Sequence, residues 1–150
     1  MRLVVQRVSA ARVRVDGRVT GEIGRGLLVF VGIGRTDDVS DLTYAAGKIR
    51  NLRVFDGRDG KGFDRSVVDV EGGVLVVSQF TLYGDVRKGR RPAFDAAATP
   101  ETARLLYEGL VRELRASGLR VETGEFQSMM QVESTNDGPV TVLVDSTREF

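Results

Sequence analysis

The chain contains no cysteine and no histidine. Without them it forms no disulfide, no thiolate nucleophile, no Cys/His zinc site and no Ser-His-Asp arrangement. Any catalysis must then draw on carboxylates, hydroxyls, Lys or Arg, backbone dipoles and the substrate's own groups. Neither a metal nor a cofactor is expected. Long apolar runs are missing as well: none approaches the ~20 residues that cross a bilayer. Arginines interrupt the opening "MRLVVQRVSAARVRV", which therefore lacks the continuous apolar segment of a secretory signal. The expected address is the cytoplasm, with no membrane partner.

A large excess of one charge sign is also absent. The 22 Lys and Arg stand against 21 Asp and Glu, a formal net charge of +1. A protein that wraps a long nucleic acid usually carries more positive charge, because neutralised phosphates supply most non-specific affinity. That argues against DNA as a partner and leaves room for a small contact with one end of an RNA.

What is present suits one domain over residues 1–150, long enough to bury roughly 70% of the unfolded chain's surface around a single core. "RLVVQRVS", "ARVRVDG" and "RVTGEIG" read as strands, with Asp16-Gly17 as a turn. "GLLVFVGI" is continuously apolar, as in a central strand covered on both faces. Val39, Leu42, Ala45, Ala46, Ile49 and Leu52 mark an amphipathic helix capped by Asp37 or Asp38. "FDGRDGKGFD" reads as a loop or hairpin before "SVVDV", and "VLVVSQFTLYG" as a second apolar strand. Thr99-Pro100-Glu101 opens a helix that Gly118 ends, and three short strands, "LRVETG", "MMQVES" and "VTVLVDS", close the chain. Strands interrupted by two helices without strict alternation predict an α+β fold.

Four features invite a functional reading. The glycines of "GRGLLVFVGIG" flank a strand instead of joining strand to helix, so they are turns and not a dinucleotide fingerprint. Arg87, Lys88, Arg90 and Arg91 form the densest positive cluster, either a solvated loop or a phosphate contact. Ser78-Gln79-Phe80-Thr81 places polar groups in or just after a strand that otherwise reads as core, where unpartnered burial is costly. These groups either bond neighbouring backbone or offer N–H groups and hydroxyls to a ligand. Finally, Asn136-Asp137-Gly138-Pro139 sets four breakers before a strand. The pair Gly138-Pro139 is either an ordinary turn or a rigid backbone shape, such as a cis unit, held for something else to meet.

Taken together these stretches resemble the D-aminoacyl-tRNA deacylases, also known as the D-tyrosyl-tRNA deacylase family. "SQFTLYGD" followed by "RKGRRPAF" is similar to the family's Ser-Gln-x-x-Leu motif and its downstream loop, and "NDGPVT" to its Asn-x-Gly-Pro motif. "QRV", "VTGEIGRGLLVFVGI", "TGEF" and "MQV" extend the likeness over nearly the whole chain. The resemblance implies the barrel-like fold of that family, a homodimer, and tRNA with an aminoacylated 3' end as substrate. It implies that Ser78, Gln79, Phe80 and Thr81 line the site for the terminal adenosine and the ester. Gly138 and Pro139 would enter the partner's pocket as a chiral filter, Arg7 and Asn136 would belong to that motif, and Met130 would lie near the pocket. Phe63, Asp64, Gln127, Ser128, Ser134 and Thr135 depart from the family pattern. A non-catalytic module that holds a tRNA 3' end is the alternative.

Overall fold

The computed structural model describes all 150 residues. Strand β1 (Arg2–Val15) turns through Asp16 and Gly17, both at positive φ, into β2 (Arg18–Ile23). That turn geometry matches the right-handed twist of paired strands. Next come β3 (Gly26–Gly32) and helix α1 (Val39–Asn51), followed by the small hairpin β4 (Phe55–Asp56) and β5 (Phe63–Arg65). Strand β6 (Gly73–Ser78) leads into a 3-10 turn (Phe80–Tyr83), and helix α2 (Pro100–Ala116) precedes β7 (Arg120–Thr123) and β8 (Gln131–Asp145). Asp38 caps α1 in a capping box with Asp41, and Thr99 caps α2 with Pro100 at the first position.

The sheet runs β2-β1-β3-β6-β7, with β8 along the other side of β1. Pairs β3–β6 and β6–β7 are parallel and the rest antiparallel. At the ends of the sheet β2 approaches β7 so closely that a Cβ on Gly21 would sit 2.2 Å from the Thr123 carbonyl oxygen. The sheet is therefore curled into a nearly closed barrel, an α+β architecture with two helices as the sequence predicts.

The interior is divided instead of forming one core. Leu27, Val29 and Val31 of β3 and Val74 and Val76 of β6 face the helices, packing on Ala45, Ile49, Leu110 and Leu114. The alternate residues Leu28, Leu75 and Val77 point to the barrel interior with Val8, Val13 and Ile23. Period-two alternation on a strand covered on both faces sorts residues this way. In β1, Leu3 and Val5 belong to the helix side and Val8 to the barrel side, as alternation requires. Ala11, Val13 and Val15 then also face the barrel, because a bulge between Val8 and Ala10 resets the alternation.

Three sequence expectations change. "RLVVQRVS" and "ARVRVDG" are one strand bent at that bulge. The second apolar strand stops at Ser78, and "FTLY" winds into the 3-10 turn. Its neighbour makes the difference: Gly32 and Gly34 let Leu82 and Tyr83 lie against the chain after β3, where Cβ atoms would meet them at 2.9 and 2.7 Å. Lastly, "MMQVES" and "VTVLVDS" belong to a single strand that runs through the four breakers.

Candidate active site

β8 keeps its pairing with β1 on both sides of Asn136–Pro139 by letting that segment bow out. Gln6 pairs with Thr141 and Val8 with Asn136, so β8 spends three more residues than β1 over the same stretch. Two side chains close the base of the excursion. Asn136 accepts from the Val140 N–H at 3.0 Å through Oδ1 and donates to the Thr141 hydroxyl at 3.1 Å through Nδ2. Arg7, the β1 residue opposite the bow, donates from Nε to the Asp137 carbonyl at 2.9 Å and from Nη1 to the Val54 carbonyl at 2.7 Å. A planar guanidinium suits this two-sided clamp, which a lysine point charge does not reproduce. Asp56 and Asp137 lie 3.8 and 3.6 Å from it, and the Phe63 ring 5.9 Å away.

The peptide bond between Gly138 and Pro139 is cis. Gly138 has φ +138, and a Cβ there would fall 2.8 Å from Val140 Cγ2 and 3.1 Å from Arg7 Nη2. Both residues are exposed. The bow thus presents backbone, not side chains, to the outside.

The second group forms at the end of β6. Ser78 and Gln79 are half-buried, whereas Phe80 and Thr81 are exposed, so the polar groups expected within a core stand at its rim. The Gln79 N–H continues the ladder to the Val31 carbonyl at 2.8 Å. The Gln79 amide donates to the Thr81 hydroxyl. By contrast, the backbone N–H groups of Phe80 and Thr81 have no acceptor in the chain, because the 3-10 bonds start only at Leu82. Two adjacent free donors at the start of a helical turn can hold a developing negative charge. Met130 sits against Gly124, level with Val77, and packs on the barrel-side cluster beside the strand end.

Three contributors lay outside the sequence reading. The Phe94 ring meets Phe80 edge to face at 5.0 Å. Arg2 donates to the Leu82 carbonyl at 3.2 Å and lies 4.6 Å from the Tyr83 ring centre, tying the turn to β1. Gly32 gives the turn its space. Only Phe94 left a trace in the sequence, as the last residue of "RKGRRPAF".

The two groups do not meet within one chain. Arg7 pairs with Leu27, which pairs with Val74, and Ser78 lies four residues beyond Val74. The bow is also three strands from β6, by way of β1 and β3. At ~3.3 Å per residue and ~4.8 Å per strand the separation along the sheet is ~13 Å one way and ~14 Å the other. Two surface clefts, one along the β1 bulge and one between Arg53 and Asp69, include neither group.

The family model described as D-Tyr-tRNA(Tyr) deacylase matches residues 4–145. The chain belongs to that family. A D-aminoacyl-tRNA deacylase of Koribacter versatilis is 61% identical over 150 residues, covering 100% of both chains. One from Symbiobacterium thermophilum is 57% identical, covering 100% of this chain and 99% of its own. Among solved structures, the c-Myc DNA Unwinding Element Binding Protein superposes with a TM-score of 0.92 at 41% identity, over 97% of this chain and 98% of that one. A probable eukaryotic D-amino acid tRNA deacylase, 19% identical with a TM-score of 0.82 over 95% and 97%, shares the fold.

Two departures from the family pattern have a structural setting. Gln127 adopts a positive φ of 61, a conformation that favours glycine, and its side-chain oxygen accepts from Arg104 at 3.3 Å. Ser128 donates to Glu125 at 2.8 Å. Nothing in the structure explains Phe63, Asp64, Ser134 or Thr135 in place of the usual residues.

Proposed function

We propose that the chain is an ester hydrolase that releases D-amino acids from tRNA, in the cytoplasm, with a site completed by a second copy of itself. Family membership over almost the whole length supports the reaction. The observation that carries the mechanism is the pair of unpaired N–H groups at Phe80 and Thr81, beside the Gln79–Thr81 bond. An aminoacyl ester is already activated, and a vicinal ribose hydroxyl can assist water. The protein then needs mainly to position the ester and stabilise the oxyanion, which two preorganised donors do without histidine.

Selection of one hand falls to the Gly138-Pro139 bow. Enantiomers carry the same groups, so discrimination is best achieved by excluding one of them. A backbone wall can receive the α-amino group of the D form and collide with the side chain of the L form. Because the bow stands far from Ser78 in its own chain, it serves the partner's site in a homodimer. The 15-residue β8 supports this: it has a neighbour on one side only, and it exposes Leu143.

The test is to incubate metal-free protein with D-tyrosyl-, L-tyrosyl- and glycyl-tRNA. Free D-tyrosine and glycine should appear with turnover while the L ester persists at its uncatalysed rate, since glycine has no side chain to exclude. Equal release of both hands would remove the chiral filter. Binding without any release would leave a tRNA-end binding module.

A further inference from the structure

We infer that the loop Val86–Pro92 is a clamp for the phosphates of the RNA strand just before the terminal adenosine. The inference rests on the deacylase reading for the position of that adenosine. The loop is a defined projection: Asp85 and Ala93 exchange both backbone hydrogen bonds, at 2.7 and 3.0 Å, and pinch its neck. Residues 86–92 beyond the neck are all exposed.

The charges on this projection are unequal in their surroundings. Arg87 is engaged at home, donating to the Asp85 carboxylate at 2.9 and 2.6 Å, and it holds that carboxyl well below the usual range. Lys88, Arg90 and Arg91 have no carboxylate within ion-pair distance. No acid occurs between Asp85 and Asp95 to offset them. Most other arginines on the barrel strands do have such partners, among them Arg12 and Arg14 on Glu133 and Arg18 on Glu125. Unpaired cations occur elsewhere too, at Arg25, Arg58 and Arg112 among others, so what distinguishes the loop is density: Arg87, Lys88, Arg90 and Arg91 crowd one exposed tip and all but Arg87 are left open for an anion.

Placement decides which anion. The neck continues into Phe94, whose ring lies on Phe80 at 5.0 Å, so the loop rises directly beside the free N–H donors. From Pro92 to the tip at Gly89 is three residues, or ~10 Å of extended chain. A span of that length, with three free cations along it, can follow the last few phosphates of the strand. Anchoring them would orient the 3' end without reading its bases.

The experiment compares the wild type with the triple variant Lys88→Gln, Arg90→Gln, Arg91→Gln, and with Arg87→Gln alone. Binding of uncharged tRNA is followed by fluorescence anisotropy from about 50 to about 200 mM salt. At ~0.7 per single-strand phosphate, the triple variant should flatten the slope of log K against log salt by ~2, while Arg87→Gln leaves it unchanged. On D-tyrosyl-tRNA the triple variant should raise KM at least about tenfold. On D-tyrosyl-adenosine, which lacks the upstream phosphates, it should match the wild type, which also shows that it is folded. An unchanged slope, or an equal loss on both substrates, overturns the clamp. Failure of the wild type to release D-tyrosine from either substrate would overturn the deacylase reading instead, and the binding slopes would still decide the loop.

Discussion

At the residue scale, the hydroxyl of Thr81 separates two chemistries. It receives the Gln79 amide and has no histidine or other conventional base beside it, which favours a structural role over a nucleophilic one. Thr81→Ala should therefore keep turnover within about threefold of the wild type, because the donors are backbone groups. A fall of several powers of ten, or a trapped acyl-threonine, would establish the hydroxyl as nucleophile. Gly138 makes the opposite case, in which one methyl is decisive. Its φ of +138 and the 2.8 Å approach of Val140 leave no room for a Cβ. Gly138→Ala should cost about 1–3 kcal/mol in a urea titration and, because the displaced wall no longer receives the α-amino group of the D form, remove most turnover on the D ester together with its preference over the L ester. An unaltered midpoint with unaltered selectivity would mean that the bow yields freely. The identities of these residues were legible in the sequence because they are chemically unusual where they occur. Their spatial grouping was not, since Arg7 reaches its acceptors across 47 and 130 residues.

At the scale of elements, local signals were enough where local physics governs. The caps at Asp38 and Thr99, the period of α1 and the apolar runs of β3 and β6 all describe what the structure contains. They were misleading where a distant contact prevails. Breakers at 136–139 read as a turn between strands, yet β1 pairs on both sides of them and Asn136 staples the base, so one strand persists. The apolar pattern of "VLVVSQFTLY" continues past Ser78, but Arg2 and the bare surface of Gly32 capture the chain into a 3-10 turn. The join between α2 and β6 can be tested. Buried Tyr107 donates to the Val76 carbonyl at 2.8 Å, and that carbonyl also accepts from Gly124 at 3.2 Å. Removing the hydroxyl leaves no orphaned acceptor, so Tyr107→Phe should cost only about 0.5–1.5 kcal/mol. A melting temperature lowered by about 2–4 °C is expected for a chain of this size, and a drop several times larger would show that the hydroxyl organises more than this bond.

For the whole molecule, the absence of histidine shapes the response to pH. Carboxyls are held below their ordinary range by local donors: Asp38 by the Ser40 hydroxyl, Asp69 by the Ser66 N–H, Glu125 by Ser128, and Glu133 by Arg12 and Arg14. At Asp145 burial pushes upward, but bonds from Thr147 and the charges of the amino terminus and Arg2 outweigh it. A carboxyl depressed in the folded state stabilises the fold above its unfolded pKa and loses that contribution as pH falls through the folded value. Urea midpoints should thus be level from pH ~6 to ~8 and decline below ~4. A midpoint that rises on acidification would contradict these assignments.

On the same scale, the proposed homodimer brings together from two chains the groups that stand apart in one. Phe80→Pro removes one donor at a helix start that accepts proline, and Gly138→Ala disables the bow. Each homodimer alone should be nearly inactive on D-tyrosyl-tRNA. Co-refolded in equal amounts, about half of the dimers are mixed, and each mixed dimer has one site with both defects and one with neither. Recovery of about a quarter of wild-type turnover per chain is expected. A mixture as inactive as its parents would contradict the shared site, because every site would then be built within a single chain.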